Sequence, residues 1–82
     1  MAITSAQIQV GTTPTLIHLG DGATSVYLHA MGIMYLGDST VTTSTGYKMD
    51  TGDKLTVETH ETSLYAIVGN GTTELDVLVI SK

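Results

Sequence analysis

The middle of the chain reads Tyr35-Leu36-Gly37-Asp38-Ser39-Thr40-Val41-Thr42-Thr43-Ser44-Thr45-Gly46-Tyr47-Lys48-Met49. It starts as an apolar strand, breaks at Gly37, runs through small hydroxyl side chains and returns to a strand at Tyr47. It is the one connection longer than a tight turn, and connections of this length are usually functional. Because its hydroxyl groups lack the charge or acid-base partner that catalysis needs, we interpret the loop as a contact surface.

Short strands are predicted on both sides of this loop. Apolar and polar residues alternate in several segments, which is typical of half-buried strands, and glycine-rich turns separate them. The segment 33–36 is apolar at every position, as expected for a strand that is covered on both faces or contacts a neighbouring subunit. The predicted strands are 7–10, 16–19, 26–29, 33–36, 47–49, 54–58, 63–68 and 75–80.

The turns between these segments have recognisable chemistry. Residues 20–22 and 50–53 contain glycine and aspartate, which favour tight turns. Asn70-Gly71 predicts a hairpin between the last two strands. Many short strands at such spacing predict a single all-β domain over residues 1–82, an antiparallel β-sandwich or barrel of jelly-roll type with seven to eight strands. The small, polar residues 1–6 are predicted to form an N-terminal arm that becomes ordered on a neighbour.

Composition restricts both stability and function. The chain has 82 residues, no cysteine, no tryptophan and no phenylalanine, so disulfides and thiolate metal sites are excluded and the core must be small. Chains of this size commonly gain stability by self-association. The net charge is −5 with three lysines and no arginine, which argues against nucleic-acid binding. The start of the chain lacks the pattern of a secretion signal, and no apolar run is long enough to cross a membrane.

Four segments resemble a small all-β domain of tailed-bacteriophage virion proteins. They are Gly11-Thr12-Thr13-Pro14-Thr15, Tyr35-Leu36-Gly37, Val41-Thr42-Thr43-Ser44-Thr45-Gly46-Tyr47, and Leu64-Tyr65-Ala66-Ile67 followed by Gly69-Asn70-Gly71 and an apolar last strand. The resemblance covers nearly the whole chain in the same order.

The resemblance implies a non-enzymatic structural role in a virus particle. Domains of this group occur as capsid decoration (cement) proteins, head-fibre bases or parts of tail proteins, commonly as trimers. We therefore expect a protein that is made in the host cytoplasm, self-associates, and binds the major capsid protein on the outer surface of the virion. The alternative is a tail or fibre module whose central loop, with Tyr47, contacts a glycan or another protein.

Apolar residues near the central loop are the candidate contact residues. Met31, Ile33 and Met34 are either core or a docking patch, because an unbroken apolar run must place some side chains on the outer face. The flexible methionine thioether adapts to irregular partner surfaces. The full set of candidate interface residues is Met31, Ile33, Met34, Tyr35, Val41, Tyr47, Ile3 and Ile8.

The polar residues with metal-ligating side chains are better explained in other ways. His18, His29 and His60 include no His-x-His pair and no carboxylate at fixed spacing, so we expect no metal. Asp38, Asp50 and Asp53 lie in turns, where aspartate bonds the local backbone, and their spacing matches no calcium loop.

A catalytic site is not expected either. Ser44, His60 and Glu61 supply the residue types of a triad, but no nucleophile elbow surrounds the serine. We expect no enzymatic activity and no cofactor.

Overall fold

The computed structural model describes residues 2–18, 24–59 and 63–81. Within these ranges the chain forms eight strands and no helix, which confirms the all-β prediction. The strands are β1 (Ala2–Val10), β2 (Thr15–His18), β3 (Thr24–Ala30), β4 (Met34–Gly37), β5 (Tyr47–Met49), β6 (Lys54–Thr59), β7 (Leu64–Ile67) and β8 (Thr73–Ser81). Since the described segments contain no helix, none of them supplies a helical membrane span.

The strands form two antiparallel sheets of four. The first sheet has the order β1-β8-β3-β6 and the second has the order β2-β7-β4-β5, which is the strand order of a jelly roll. Pairing joins β1 to β8, β2 to β7, β3 to β6 and β4 to β5. The chain is therefore one long antiparallel hairpin rolled into two layers. Its closed end is the central loop, residues 38–46.

The connection between β7 and β8 differs from its prediction. Gly71 has the positive φ of 65° that the Asn-Gly pair indicates, so the local turn is correctly predicted. However, β7 belongs to the second sheet and β8 to the first, so this connection is an arch between layers. The predicted hairpin is wrong because turn chemistry determines only the local backbone. The predicted turn at 20–22 lies outside the described residues.

The first residues also differ from their prediction. Residues 2–6 form the first half of β1 and pair with β8 without a break in register. The prediction of an arm is wrong at these positions because β8 supplies backbone partners along the whole segment. Met1 lies outside the described residues.

The core lies between the two sheets and follows the strand alternation. On β3, Val26, Leu28 and Ala30 face inward, opposite Val77 and Leu75 of β8. The buried cluster contains Val10, Ile17, Val26, Leu28, Ala30, Met34, Leu36, Met49, Ala66, Val68, Leu75 and Val77. Aliphatic and methionine side chains thus form the core of this small domain.

The apolar strand β4 is covered on both faces. Met34 and Leu36 face the core, whereas Tyr35 points to the other side of the second sheet and is half-buried. The central loop lies against that outer side, since a Cβ placed on Gly46 would be only 2.5 Å from the Cβ of Tyr35. The chain's own loop therefore supplies the second cover that the apolar pattern predicted.

Candidate functional site

One end of the sandwich carries a hydrogen-bonded bend with two exposed apolar side chains. The bend is residues 31–33, between β3 and β4. The Met31 N–H donates a hydrogen bond to the Glu74 carbonyl at 3.1 Å. Just before the bend, the Ala30 N–H donates to the Asp53 carbonyl at 3.0 Å. A Cβ on Gly32 would lie 2.7 Å from the Thr73 Cγ2 atom, so the bend packs closely on the start of β8. These contacts hold the start of the bend against β8 and against the turn before β6.

Met31 and Ile33 are the exposed residues of this bend. Their side chains are 48% and 49% accessible, whereas Met34 is 0% accessible and lies in the core. The proposed role of Met34 as a surface contact is therefore wrong. It is the first residue of β4, where the alternation turns its side chain inward against Met49 of β5.

A groove opens beside Ile33. It has a volume of about 560 Å³ and lies between the central loop and the β7–β8 connection. Ile33 and the half-buried Tyr35 give it apolar surface, and the side chains of Thr43 and Asn70 bring hydroxyl and amide groups. This mixture suits an extended polypeptide segment, which offers both side chains and backbone polar groups. We call it the loop-end groove.

The central loop is bonded mainly to itself. Thr42 accepts hydrogen bonds at its carbonyl from the N–H groups of Thr45 at 3.2 Å and Gly46 at 2.9 Å. The hydroxyls of Thr42 and Thr45 lie 3.0 Å apart and bond each other. The Ser44 N–H donates to the Thr42 hydroxyl at 3.2 Å. Because these hydroxyls are engaged within the loop, they are less available to a glycan than the sequence suggested.

Val41 anchors this loop to the second sheet. It is buried, and a Cβ on Gly37 would lie 2.7 Å from its Cγ2 atom. It does not belong to the main core cluster, which places it on the outer side of the second sheet. The proposed role of Val41 as an interface residue is therefore wrong, because the loop folds back and covers it.

The remaining candidate interface residues do not gather at one place. Tyr35 lines the loop-end groove, and Ile8 is half-buried against the core. Tyr47 is exposed on the edge strand β5, and Ile3 is exposed on the edge strand β1. Met31 and Ile33 share the bend, and Ile33 and Tyr35 line the groove beside it.

The aspartates of the turns bond their local backbone, as predicted. Asp38 Oδ1 accepts hydrogen bonds from the N–H of Thr40 at 2.9 Å and from its hydroxyl at 2.8 Å. Asp53 Oδ2 accepts the N–H of Asp50 at 2.9 Å. Within the described ranges, no group of three His, Asp or Glu side chains is arranged to hold a metal ion.

The histidines lie apart from one another. His18 is on β2 in the second sheet, and His29 is on β3 in the first sheet, opposite Asp76 and Lys54. The two histidines therefore lie on strands of different sheets. His60 and Glu61 lie outside the described residues.

The hydrogen bonds from Thr40 lower the pKa of Asp38, chiefly the bond from the hydroxyl and then the one from the backbone N–H. A lowered pKa in the folded state means that this bonding stabilises the loop at neutral pH and is lost as the pH falls through that pKa. We expect Thr40→Val to raise the pKa of Asp38 toward its ordinary value, because the larger cause is removed. Carboxyl chemical shifts followed through an acid titration by NMR measure this change. An unchanged pKa of Asp38 in the Thr40→Val protein would contradict the assignment.

The outer face of the first sheet carries an apolar patch of which only Ile3 was among the candidate interface residues. Tyr27, Leu78 and Ile3 are exposed there, beside half-buried Ile80. Ile80 pairs with Ile3 on one side, and Leu78 pairs with Tyr27 on the other. The alternation of Tyr27 with Val26 and Leu28 was the available signal, since it directs Tyr27 away from the core.

No family model, curated protein or solved structure matches the chain.

Proposed function

We propose that the chain is a non-enzymatic bacteriophage virion protein that decorates and stabilises the outer capsid surface. It acts as a homo-oligomer bound to the major capsid protein, and the resemblance implies three copies. The observation that carries the proposal is the fixed bend with Met31 and Ile33 half-exposed beside the loop-end groove. Such a surface binds by burying apolar area and needs no chemical step.

The hydrogen bonding of the bend supports a docking role. Met31 bonds Glu74 of β8, and the preceding Ala30 bonds Gly52 and Asp53 in the turn before β6, so binding requires little further ordering of the chain. The groove adds Thr43, Thr51 and Asn70 as polar partners for a strand or loop of the capsid protein. Apolar anchors with a polar rim are the usual anatomy of a protein interface.

The size of the contact favours a multivalent particle surface. Two half-exposed side chains and one groove make a modest interface for each copy, and linked copies multiply a weak contact by raising the effective concentration. The net charge of −5 keeps free copies apart before assembly. Together with the four resembling segments, this supports an assembled virion over a free monomeric binding protein.

The ratio of this chain to the major capsid protein in purified phage particles tests the proposal. Quantitative mass spectrometry should give a value near one or a simple fraction such as one third. A trace ratio would place the chain in the tail or fibre and overturn the decoration proposal. Absence from particles would overturn the virion proposal as a whole.

A matched pair of variants tests the docking surface. We expect Ile33→Asp to lower particle occupancy about tenfold or more, since loss of an interface anchor commonly costs about 1.4 kcal/mol or more. Leu16→Asp is the control, because Leu16 is 45% exposed, close to the 49% of Ile33, but lies on β2 away from the bend. Equal occupancy for both variants would contradict the assigned surface.

A further inference from the structure

The two sheets have four edge strands, which differ in how they are protected. Edge strands expose unpaired backbone groups, and proteins protect them with short length, charge, proline or bulges. In the part of the chain that the structure describes, β1 and β6 are the edges of the first sheet and β2 and β5 those of the second. Each edge strand either has or lacks these four protective features.

Three edges carry such protection. β5 has three residues, so it offers little backbone to a partner. β2 has four residues, follows Pro14, and has a register irregularity between Leu16 and His18. β6 carries a charge near each end, at Lys54 and Glu58. These edges are poor templates for another strand.

β1 has none of these protective features. It is nine residues long, Ala2–Val10, with no charged residue and no proline. Its register against β8 is unbroken over all nine positions. It presents a long, uncharged backbone edge on the first sheet, with Ile3 62% exposed near one end.

The geometry points to a second copy of this chain as the occupant of the β1 edge. Two copies related by a two-fold axis would pair β1 with β1 in antiparallel fashion and join their first sheets into one continuous sheet of eight strands. Among the edges of the described residues, only β1 is long and neutral, so its best match within this protein is itself. Since the chain carries a net charge of −5, an uncharged contact avoids repulsion between copies.

The side chains near the edge fit this pairing. Directly opposed residues of an antiparallel pair point to the same face, so Ile3, Ser5 and Gln7 of both copies would share the outer face. Ile3 adjoins Ile80, and Ser5 adjoins the exposed Leu78, in the register with β8. Pairing at β1 would therefore place the apolar outer patch of each copy next to its counterpart's edge. The proposed β1–β1 pairing does not depend on capsid binding. It predicts a dimer with two-fold symmetry, whereas the resemblance implies a trimer with three-fold symmetry.

The test uses two lysine variants in one row of the first sheet. Ser5 on β1 and Thr56 on β6 are both exposed and are connected through Leu78 and Tyr27 in the register. We expect Ser5→Lys to weaken dimerisation about tenfold or more, because it places two like charges at the edge, whereas Thr56→Lys leaves the dissociation constant unchanged. Sedimentation velocity across a concentration series measures the dissociation constant of the dimer. Circular dichroism checks that both variants fold.

Hydrogen exchange adds a second measurement. Amides of β1 that point away from β8 should exchange slowly at concentrations where the dimer forms and rapidly where it dissociates. A trimeric wild type, a monomeric wild type, or equal effects of both lysines would each overturn the proposal. A monomer that loses particle binding on Ser5→Lys would identify a capsid strand as the occupant and also overturn it. A dimer absent from phage particles would overturn the proposed function and leave this inference standing.

Discussion

Met34→Asp is expected to abolish cooperative folding. Met34 is 0% exposed and is among the largest fully buried side chains, opposite Met49 across β4 and β5. Removing a buried methionine costs about 2–5 kcal/mol, and an unpaired carboxylate in its place adds a large desolvation cost. A domain of 82 residues has a total stability of about 4–12 kcal/mol, so the substitution removes most or all of it. Thermal unfolding followed by circular dichroism should show no cooperative transition.

The neighbouring Ile33→Asp is the control for this result. Ile33 is about half exposed in the bend, so its replacement should change the free energy of unfolding by about 0.5 kcal/mol or less. The sequence left open whether Ile33 and Met34 are core residues or one docking patch. Equal stability of the two variants would contradict the burial of Met34. The expected difference would show that Met34 is a core residue and that its neighbour Ile33 is a surface residue.

The strands were predictable because their signal is local. Short apolar segments, alternating with polar residues in several cases and unbroken at 33–36, indicated all eight strands near their observed positions. Strand pairing was not predictable in the same way. Asn70-Gly71 forms the predicted turn, but the same turn serves a hairpin within a sheet or an arch between sheets. The partner of a strand depends on contacts distant in sequence, which turn residues do not encode.

The candidate site was predictable only in part, for a related reason. The run 31–36 is apolar except at Gly32, so it contains no alternation that would separate Met34 in the core from Ile33 at the surface. Val41 stands alone among hydroxyl residues and looks exposed. Its burial depends on the loop turning back over Gly37, a contact that only the folded chain creates. β1, by contrast, was visible as a neutral segment, but its position at a sheet edge required the topology.

The position of the central loop explains why it matters for stability. The loop connects β4 to β5. The pairs β3–β6, β2–β7 and β1–β8 follow at increasing distance along the chain from this loop. Its attachment to the second sheet uses Val41, Gly37, Gly46 and Tyr35. Because Gly37 and Gly46 have no side chain, the loop backbone approaches the sheet closely and the loop covers the outer side of β4.

Gly46→Ala is expected to detach this loop and destabilise the domain. The added Cβ would lie 2.5 Å from the Tyr35 Cβ, 2.9 Å from the Val41 Cγ2 atom and 3.1 Å from the Thr42 carbonyl oxygen. Two of these three neighbours are the backbone carbonyl and a Cβ fixed to the backbone of β4, so relief requires the loop to move. Overpacking of this kind costs about 1–3 kcal/mol, and here it also exposes Val41 and loosens the Thr42–Thr45 bonds. Urea unfolding should show a lower midpoint with an unchanged slope.

Gly69→Ala is the matched control for the loop experiment. A Cβ at Gly69 meets no atom within 4 Å, and its φ is not in the left-handed region, so alanine fits. Replacing such a glycine restricts the unfolded chain and is expected to stabilise the domain by about 0.4–1 kcal/mol. The two variants make the same chemical change with opposite signs of effect. A Gly46→Ala protein as stable as the Gly69→Ala protein would mean that the loop does not rest on Tyr35, and the cover over β4 would then have to come from a partner.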